Sequence, residues 1–347
     1  MRILAIETSC DETSAAVVEN GSRLLGNVVA SSSGMHQKTG GVIPEIAARE
    51  QLRCIIPILD QLQNDLQIKN RINEYIDALA VTVGPGLIGS LLVGVETAKT
   101  LSYVWNKPLV PINHLIAHLY ANWFSDIQPE FPALCLIVSG GHTEIILMQN
   151  HGRFKHLGQT RDDAAGEAFD KSARLLGLTP YNGGPAIAMS AEEYLGQLPK
   201  TYLPTPFLPR PMINTNDFDF SFSGLKTAVL KEVEGLKINN LFTKKNIQRI
   251  SYEVQEAITD CLTAKIIKAV KQYQPKSLLI AGGVAANNRL REKIKFKIEN
   301  LKLKTGLFIP PPKLCTDNAS YIGACAFYNY NPLPWQKINA DSGLEII

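Results

Sequence analysis

Apolar runs separated by short polar turns recur along the chain, and two such segments share one pattern. Near the N-terminus, LAIETSCDETSAAVV places two apolar runs on either side of a small, acidic turn. Near the middle, ALCLIVSGGHTEIIL repeats the arrangement around a glycine turn. Each segment predicts a β-hairpin. One hairpin opens each half of the chain, which indicates a duplicated α/β lobe, the alternative being two unrelated hairpins.

The rest of the chain alternates between helical periodicity and short apolar runs. The pattern predicts helices from about residue 44 and at 90–105, 164–176, 247–273 and 289–298, and strands at 78–83, 277–280 and 308–310. Residues 31–43 and 181–185 are predicted as a loop and a turn, and the proline- and aromatic-rich residues 197–224 as an irregular surface insertion. This alternation predicts an α/β protein. We divide it into lobes at 1–112 and 113–347, with a last helix near 318–330 that packs back on the first lobe.

Composition narrows the class of protein. The 347 residues are 45% apolar and 19% charged, which predicts a packed core and excludes a disordered chain. The formal charge of +3 permits a nucleic-acid partner without arguing for one. Six cysteines without a C-x-x-C pair argue against a disulfide framework or a zinc ribbon. Neither a signal peptide nor a membrane span is recognisable, so we expect a cytoplasmic protein.

Two histidines four residues apart are candidate metal ligands. His114 and His118 share one face of a predicted helix, but two imidazoles need a third ligand. The residue after His114 is Leu115, so the glutamate of an H-E-x-x-H protease motif is missing. Asp317 is the best distant carboxylate. The alternatives are a chance histidine pair and a simple helix N-cap at Asp317 or at the next residue, Asn318.

Several glycine turns are suited to phosphate. The turn at 139–143, SGGHT, offers backbone N–H groups with few side chains nearby. Gly282 and Gly283 lie between a predicted strand and a helix, where an anion is favoured, and Gly183 with Gly184 is a weaker case. No G-x-G-x-x-G or G-x-x-x-x-G-K-[ST] motif is present. These turns fit a cleft between duplicated lobes that binds a nucleotide phosphate from both sides.

A series of ordered motifs carries a resemblance to a known family. The motifs are ETSCDETS at 7–14, GGVIPE at 40–45, GPG at 84–86, the histidine pair, SGGHT at 139–143, GEAFDK at 166–171, FSFSGLK at 220–226, AGGVAAN at 281–287 and CTDN at 315–318. On these residues the chain resembles the tRNA N6-adenosine threonylcarbamoyltransferase family, once called O-sialoglycoprotein endopeptidases. The resemblance covers roughly residues 2–330.

The resemblance implies an actin-like ATPase (RNase H-like) fold with two related lobes and the nucleotide between them. It implies transfer of a threonylcarbamoyl group from threonylcarbamoyl-AMP to N6 of the adenosine beside the anticodon, in tRNAs that read codons beginning with A. It also implies one divalent metal ion, iron(II) or zinc, held by His114, His118 and Asp317. The residues that it implies for the substrate and nucleotide are Ser9, Ile137, Val138, Ser139, Gly140, Gly141, Glu167, Asp170, Gly183, Gly184 and Asn287.

The N6 amine is a poor nucleophile because its lone pair is delocalised into the ring, so loss of its proton must be assisted. Asp11, Glu12 and His142 are the candidates for this role. The chain departs from the expected family pattern at four positions: Gln51, Ile116, Asn182 and Ala188. None of the four is a proposed metal ligand.

The resemblance also implies partners. Bacterial members work with a smaller paralogous protein of the same fold and with a small P-loop ATPase, and the apolar helices of the first half are the expected docking surface. Basic clusters at 237–249 and 289–304 either contact tRNA phosphates or are solvated helix faces. The alternatives to the transferase are a metal-dependent peptidase, and an ATPase or scaffold of the same fold without transferase activity.

Overall fold

The structure is a computed structural model that describes residues 1–68, 71–199 and 204–346. The chain forms two compact units. The first contains residues 1–129, 151–153 and the segment from 310 onward, and the second contains residues 130–150 and 154–309. The lobe boundary expected at 112/113 lies inside the first unit, because strand Leu109–Asn113 pairs with the sheet of that unit and runs directly into the next helix.

The first unit is built on a five-stranded sheet. Its strands are β1 (Arg2–Glu7), β2 (Glu12–Glu19), β3 (Arg23–Ser31), β4 (Ala78–Gly84) and β5 (Leu109–Asn113), in the order β3-β2-β1-β4-β5. β1, β2 and β3 pair antiparallel, whereas β4 and β5 join in parallel. Its first helices are α1 (Ser33–Thr39), α2 (Pro44–Asp65), α3 (Ile72–Tyr75), α4 (Ile88–Trp105) and α5 (His114–Tyr120). β1 and β4 are almost wholly buried, as expected for central strands.

The second unit repeats this sheet. Its strands are β6 (Ala133–Val138), β7 (Thr143–Asn150), β8 (Arg153–Gln159), β9 (Ser277–Ala281) and β10 (Gly306–Phe308), in the order β10-β9-β6-β7-β8. β6 and β7 form the antiparallel hairpin, and β9 and β10 join in parallel. Its helices are α6 (Ala165–Leu175), α7 (Gly183–Gly196), α8 (Ser223–Ile238), α9 (Lys244–Tyr273) and α10 (Asn288–Asn300). The two strand orders match element for element, which confirms the predicted duplication.

The last helix, α11 (Ala319–Tyr328), belongs to the first unit and packs on β1, β2 and α5. The packing is close at Gly323, where a Cβ atom would lie 2.7 Å from Val18 Cγ2. The packing of α11 on α5 places the residues just before α11 beside the start of α5.

Two segments that were expected to be a loop and a turn are helical. Residues 33–39 form helix α1 where a loop was expected, and α7 begins at Gly183 where a turn was expected. The carboxylate of Asp170 explains the second difference, because it accepts the Gly183 N–H at 2.5 Å and caps a helix that begins with two glycines. Of the predicted irregular insertion, residues 200–203 lie outside the described residues, and 204–219 contain no helix or strand.

No helix in the described part of the chain combines the length and the apolar character that a membrane span requires.

Candidate functional site

The histidine pair lies at the start of α5. Asn113 caps this helix, because its side-chain oxygen accepts the N–H groups of Leu115 and Ile116 at 2.9 and 3.2 Å. The cap makes His114 the first helical residue and puts His118 one turn later. Both side chains are buried, and their Nε2 atoms are 3.1 Å apart.

Asp317 joins the two histidines in a cluster of three candidate metal ligands. Asn318, and not Asp317, caps α11 and bonds the N–H of Ser320, so the Asp317 carboxylate is directed elsewhere. Asp317 Oδ1 lies 3.3 Å from His118 Nε2 and 3.6 Å from His114 Nε2. Two ligand atoms that each lie about 2.1 Å from the same cation are about 3.0 Å apart in octahedral coordination and about 3.4 Å apart in tetrahedral coordination. Two of the three separations, 3.1 and 3.3 Å, lie in this range, and the third, 3.6 Å, is slightly longer. The three atoms all lie within 4.8 Å of one another and so form a candidate site for a single divalent metal ion.

The charges around the cluster favour a cation. Burial by itself lowers the pKa of His114, but the carboxylates of Glu7 and Asp317 outweigh burial and raise this pKa to about 9. Burial and the neighbouring His114 lower the pKa of His118. The histidines hold the pKa of Asp317 well below its usual range despite burial. Two carboxylates thus stabilise positive charge at the ligand atoms, whether it is a proton or a metal ion.

The turn between β1 and β2 carries two of the candidate proton acceptors. Asp11 is buried, and its carbonyl accepts hydrogen bonds from the N–H and the hydroxyl of Ser32. Burial, together with the negative charges of Asp317 and Asp11, raises the pKa of Glu12 to about 10. A raised pKa suits Glu12 to hydrogen-bond donation rather than to removal of a proton.

Buried side chains and backbone groups already engage much of this turn. The Ser9 N–H donates to Glu7 Oε1 at 2.5 Å, and the Ser9 carbonyl accepts the Leu87 N–H at 2.8 Å. The amide of Gln51 lies within 3.3 Å of the carbonyls of residues 8, 10 and 12. The Ser9 N–H is thus committed within the protein, although Ser9 is among the residues that the resemblance implies for the substrate.

The glycine turn between β6 and β7 is less engaged. The Ser139 N–H donates to the His142 carbonyl, and the His142 N–H donates to Ser139 Oγ, which closes the turn. Gly140 and Gly141 have no left-handed φ, and a Cβ on either would meet nothing within 4 Å. The fold therefore does not require glycine at these two positions, whereas close approach of a ligand to the backbone does.

Ile137 and Val138 end β6 with fully buried side chains, so only their backbone is available to a ligand. Glu167, on the first turn of α6, is partly exposed and pairs with Lys171 at 2.8 Å.

Asp170 and the two glycines of α7 form a second cluster within this unit. Burial raises the pKa of Asp170, and the N–H groups of Gly183 and Gly184 act in the opposite direction. A Cβ on Gly183 would lie 2.6 Å from the Cβ of Ala173, so packing alone requires this glycine. Gly184 has open space around it. Packing therefore does not account for glycine at position 184, whereas close approach of a bound ligand would.

Asn287 has a structural role of its own. Its side-chain oxygen accepts the Leu290 N–H and caps α10, and its Nδ2 donates to Gln255 Oε1 at 3.0 Å. One Nδ2 hydrogen beyond this bond remains for a ligand.

Comparisons with known proteins bear on the whole chain. The family model described as tRNA N6-adenosine threonylcarbamoyltransferase matches residues 23–324. A protein of that name from Syntrophomonas wolfei is 47% identical over 329 residues, which cover 94% of this chain and 92% of that protein. The chain belongs to the tRNA N6-adenosine threonylcarbamoyltransferase family. The resemblance carried by the motifs is confirmed, and the enzyme class is that of a transferase.

Solved structures support the fold. Component A of (R)-2-hydroxyglutaryl-CoA dehydratase from Acidaminococcus fermentans matches at a TM-score of 0.50 and 14% identity, over 97% of this chain and 99% of that one. Full-length HypF in its phosphate- and nucleotide-bound form matches at 0.55 and 12%, over 95% of this chain and 55% of that one. At these identities the likeness shows the fold alone, and it confirms the expected actin-like fold.

Two residues beside the ligand cluster of this family member were not predicted from the sequence. Glu7, the last residue of β1, lies 3.1 Å from His114 Nδ1. The buried hydroxyl of Tyr321 donates to Asp317 Oδ1 at 3.3 Å, and its ring lies 4.6 Å from the His118 ring. A carboxylate at the end of an apolar run is a detectable signal for Glu7. The phenol of Tyr321 carries no comparable signal in a helix of small apolar residues.

Proposed function

We propose that this chain transfers the threonylcarbamoyl group from threonylcarbamoyl-AMP to N6 of the adenosine beside the anticodon, in tRNAs that read codons beginning with A. The N6 nitrogen attacks the carbamoyl carbonyl carbon and forms a C–N bond. The bond from that carbon to the phosphate oxygen breaks, and AMP leaves with the electron pair. The observation that carries the proposal is the buried His114–His118–Asp317 cluster in a chain that matches the family over residues 23–324.

The cluster fits a divalent metal ion, with the two Nε2 atoms and a carboxylate oxygen as ligands. Two histidines and one carboxylate with open positions are typical of iron(II), and zinc is the alternative. When bound, such an ion polarises a phosphoryl or carbonyl oxygen. The chain itself supplies the orientation of the ligands, through the Asn113 cap and the Tyr321 hydroxyl.

The N6 proton passes to a side chain. We assign this step to the acidic turn of the first unit, at Asp11 or Glu12, with His142 of the second turn as the third candidate. The raised pKa of Glu12 favours Asp11 as the acceptor and gives Glu12 the role of a hydrogen-bond donor.

The second unit binds the adenylate in this proposal. The Gly140 and Gly141 N–H groups contact the phosphate, because neither glycine is needed by the fold. The second carboxylate oxygen of Asp170 and the remaining hydrogen of Asn287 contact the ribose or the base. The members of the expected substrate set that lie in this unit are Ile137, Val138, Ser139, Gly140, Gly141, Glu167, Asp170, Gly183, Gly184 and Asn287.

For the tRNA, α10 and the residues after it are the favoured surface. Arg289 and Lys293 are neutralised by Glu256, and Lys293 also by Asp260. The exposed lysines Lys297, Lys302 and Lys304 have no ion pair among the described residues. Unpaired cations of this kind bind phosphates by releasing counterions.

The protein partners are a smaller paralogue of the same fold and a small P-loop ATPase, in the cytoplasm. An exposed apolar face on α2 and α4 supports the paralogue. Leu52 and Ile56 are 65% and 58% exposed, and Ile88 and Leu92 are 50% and 45% exposed. Each pair is spaced i, i+4 on one side of its helix, as a helix-packing surface requires.

The test is single-turnover transfer from synthetic threonylcarbamoyl-AMP to unmodified tRNA, with nucleosides identified by mass, for the wild type and His114→Ala. We expect modified adenosine from the wild type and none from the variant. Equal product from both would keep the reaction and contradict the metal assignment. No product from either, with the paralogue and the ATPase added, would contradict the proposed reaction.

A further inference from the structure

We propose that Glu7 is a positioning residue of the metal centre. Its carboxylate accepts the Nδ1 proton of His114 and so holds the Nε2 lone pair of that histidine toward the other two ligands. This inference rests on the metal site proposed above, and it concerns a residue outside the ligand set.

Several hydrogen bonds fix the orientation of the Glu7 carboxylate. Its side chain is fully buried at the end of β1. Oε2 lies 3.1 Å from His114 Nδ1 and accepts the Thr82 hydroxyl at 2.5 Å, while Oε1 accepts the Ser9 N–H. The Thr82 hydroxyl, from β4, and the Ser9 N–H, from the turn after β1, therefore orient the carboxylate independently of His114, so it can orient the imidazole in turn.

The contact determines which nitrogen of His114 faces the cluster. A neutral imidazole carries one proton, and a carboxylate at Nδ1 keeps the proton there, which leaves Nε2 as the lone-pair donor. Carboxylate–histidine–metal arrangements of this kind orient the ring and raise its basicity as a ligand. His118 lacks this support, because its buried Nδ1 has no hydrogen-bond partner within the part of the chain that the structure describes.

Neighbouring contacts of Glu7 and His114 define the control variants. Ser9 Oγ lies 3.2 Å from the same Nδ1, so this hydroxyl competes with the Glu7 carboxylate for His114. Glu7 also holds the Ser9 N–H and Thr82, so a purely structural role in the turn is the competing hypothesis. Thr82→Val removes one bond to Glu7 and leaves His114 untouched, and Ser9→Ala removes only the competing hydroxyl.

The experiment measures the affinity of the metal-free full-length chain for zinc, in competition with a chromophoric chelator. Zinc is the probe because it is redox-inert. The proteins are the wild type, Glu7→Gln, Thr82→Val and Ser9→Ala. We expect Glu7→Gln to raise the zinc Kd about 10- to 100-fold and the other two to change it less than about 3-fold. Nitrogen-15 NMR of the histidine rings is the second measurement. We expect the Nδ1-protonated form of His114 in the zinc-bound wild type and a change at this ring alone in Glu7→Gln.

Thermal unfolding of the metal-free proteins shows whether each variant folds. If Glu7→Gln does not fold, Glu7→Asp replaces it, and the same rise in zinc Kd is expected because the shorter carboxylate withdraws from Nδ1. An unchanged Kd in a folded Glu7 variant would overturn the inference, and so would equal losses in Glu7→Gln and Thr82→Val. A wild type that binds no zinc and no iron(II) would overturn the metal assignment itself, together with this inference, whereas the transfer assay tests the reaction separately.

Discussion

The hairpin turns Thr8–Asp11 and Ser139–His142 have equal length and join equivalent strands in two sheets of the same topology. The first is lined by acidic groups, and its backbone is engaged by Glu7 and Gln51. The second contains two glycines whose surroundings are open. One scaffold thus supports a turn that concentrates negative charge beside two histidines and a turn that exposes backbone N–H groups.

The contrast shows how a duplicated fold divides its chemistry. The sheet fixes where each turn lies, whereas the side chains decide what each turn attracts. Glu7 and Asp317 lie in the first unit and favour a cation at the histidines. The exposed N–H groups of the second turn favour an anion. The variants below test this division, from the largest expected effect to the smallest.

Loss of one histidine tests the cation site of the first unit. His118→Ala removes a ligand, and we expect bound metal to fall from about one per chain to near zero and transfer to fall more than about 100-fold. Metal analysis and the single-turnover assay measure these effects. His156→Ala, which removes a half-exposed histidine paired with Glu144 in the second unit, is the matched control. Metal retained by His118→Ala would contradict the assigned ligand set.

Replacing Gln51 tests how the acidic turn is held. Gln51→Leu leaves the carbonyls of residues 8, 10 and 12 without their buried donor, and we expect a loss of about 2 kcal/mol in the free energy of unfolding. Urea unfolding measures it. In the second turn the donor is a backbone group, because the Gly166 N–H donates to the Ser139 carbonyl at 3.1 Å. Gln61→Leu, on the exposed side of the same helix, is expected to stay within about 0.5 kcal/mol, and an equal loss there would contradict the role of Gln51.

Alanine in the glycine turn tests its ligand. We expect the double variant Gly140→Ala/Gly141→Ala to keep its free energy of unfolding within about 0.5 kcal/mol, because no neighbour crowds either position. We expect its affinity for AMP to fall about 10-fold, because the added methyl groups keep the phosphate from the N–H groups. Calorimetry with AMP measures the affinity. Gly235→Ala, in open space on α8, is the control, and an unchanged affinity in the double variant would contradict the phosphate role of the turn.

The smallest effect concerns pH and a helix cap in the second unit. Partial burial by itself raises the pKa of Asp162. Hydrogen bonds from Ser221, Ser223 and the backbone at Phe222 outweigh burial and lower this pKa to about 2. Because this value lies below that of the unfolded chain, the stabilisation is complete above about pH 4 and is lost as the pH falls toward 2. Asp162 is largely exposed, so we expect only about 1 kcal/mol.

Urea unfolding of the wild type and Asp162→Asn between pH 5 and pH 2 measures this contribution. The two curves should converge at the acid end. Asp126→Asn, at an exposed position in the first unit, should stay parallel to the wild type. A constant gap between wild type and Asp162→Asn would show that charge is not the cause.

The sequence by itself determined the elements and much of the candidate chemistry. Hydrophobic periodicity is a local property, so both hairpins, the long helix α9 and the strand–turn–helix at 277–298 were predictable from it. The histidine pair was visible because its members are four residues apart. Asp317 stood out as the best distant carboxylate, but only the resemblance to a family joined it to the histidines as a third candidate ligand, since nothing local links it to α5.

Only the tertiary structure decided which distant groups meet. Glu7 reaches His114 across 107 positions of the chain, and Tyr321 reaches His118 across 203. The first turn of α7 is capped by Asp170 of α6. Asn287, which caps α10, is held by Gln255 of α9. The physical reason is that periodicity reports which face of an element is buried, whereas a hydrogen bond between buried groups depends on how the strands and helices pack in three dimensions.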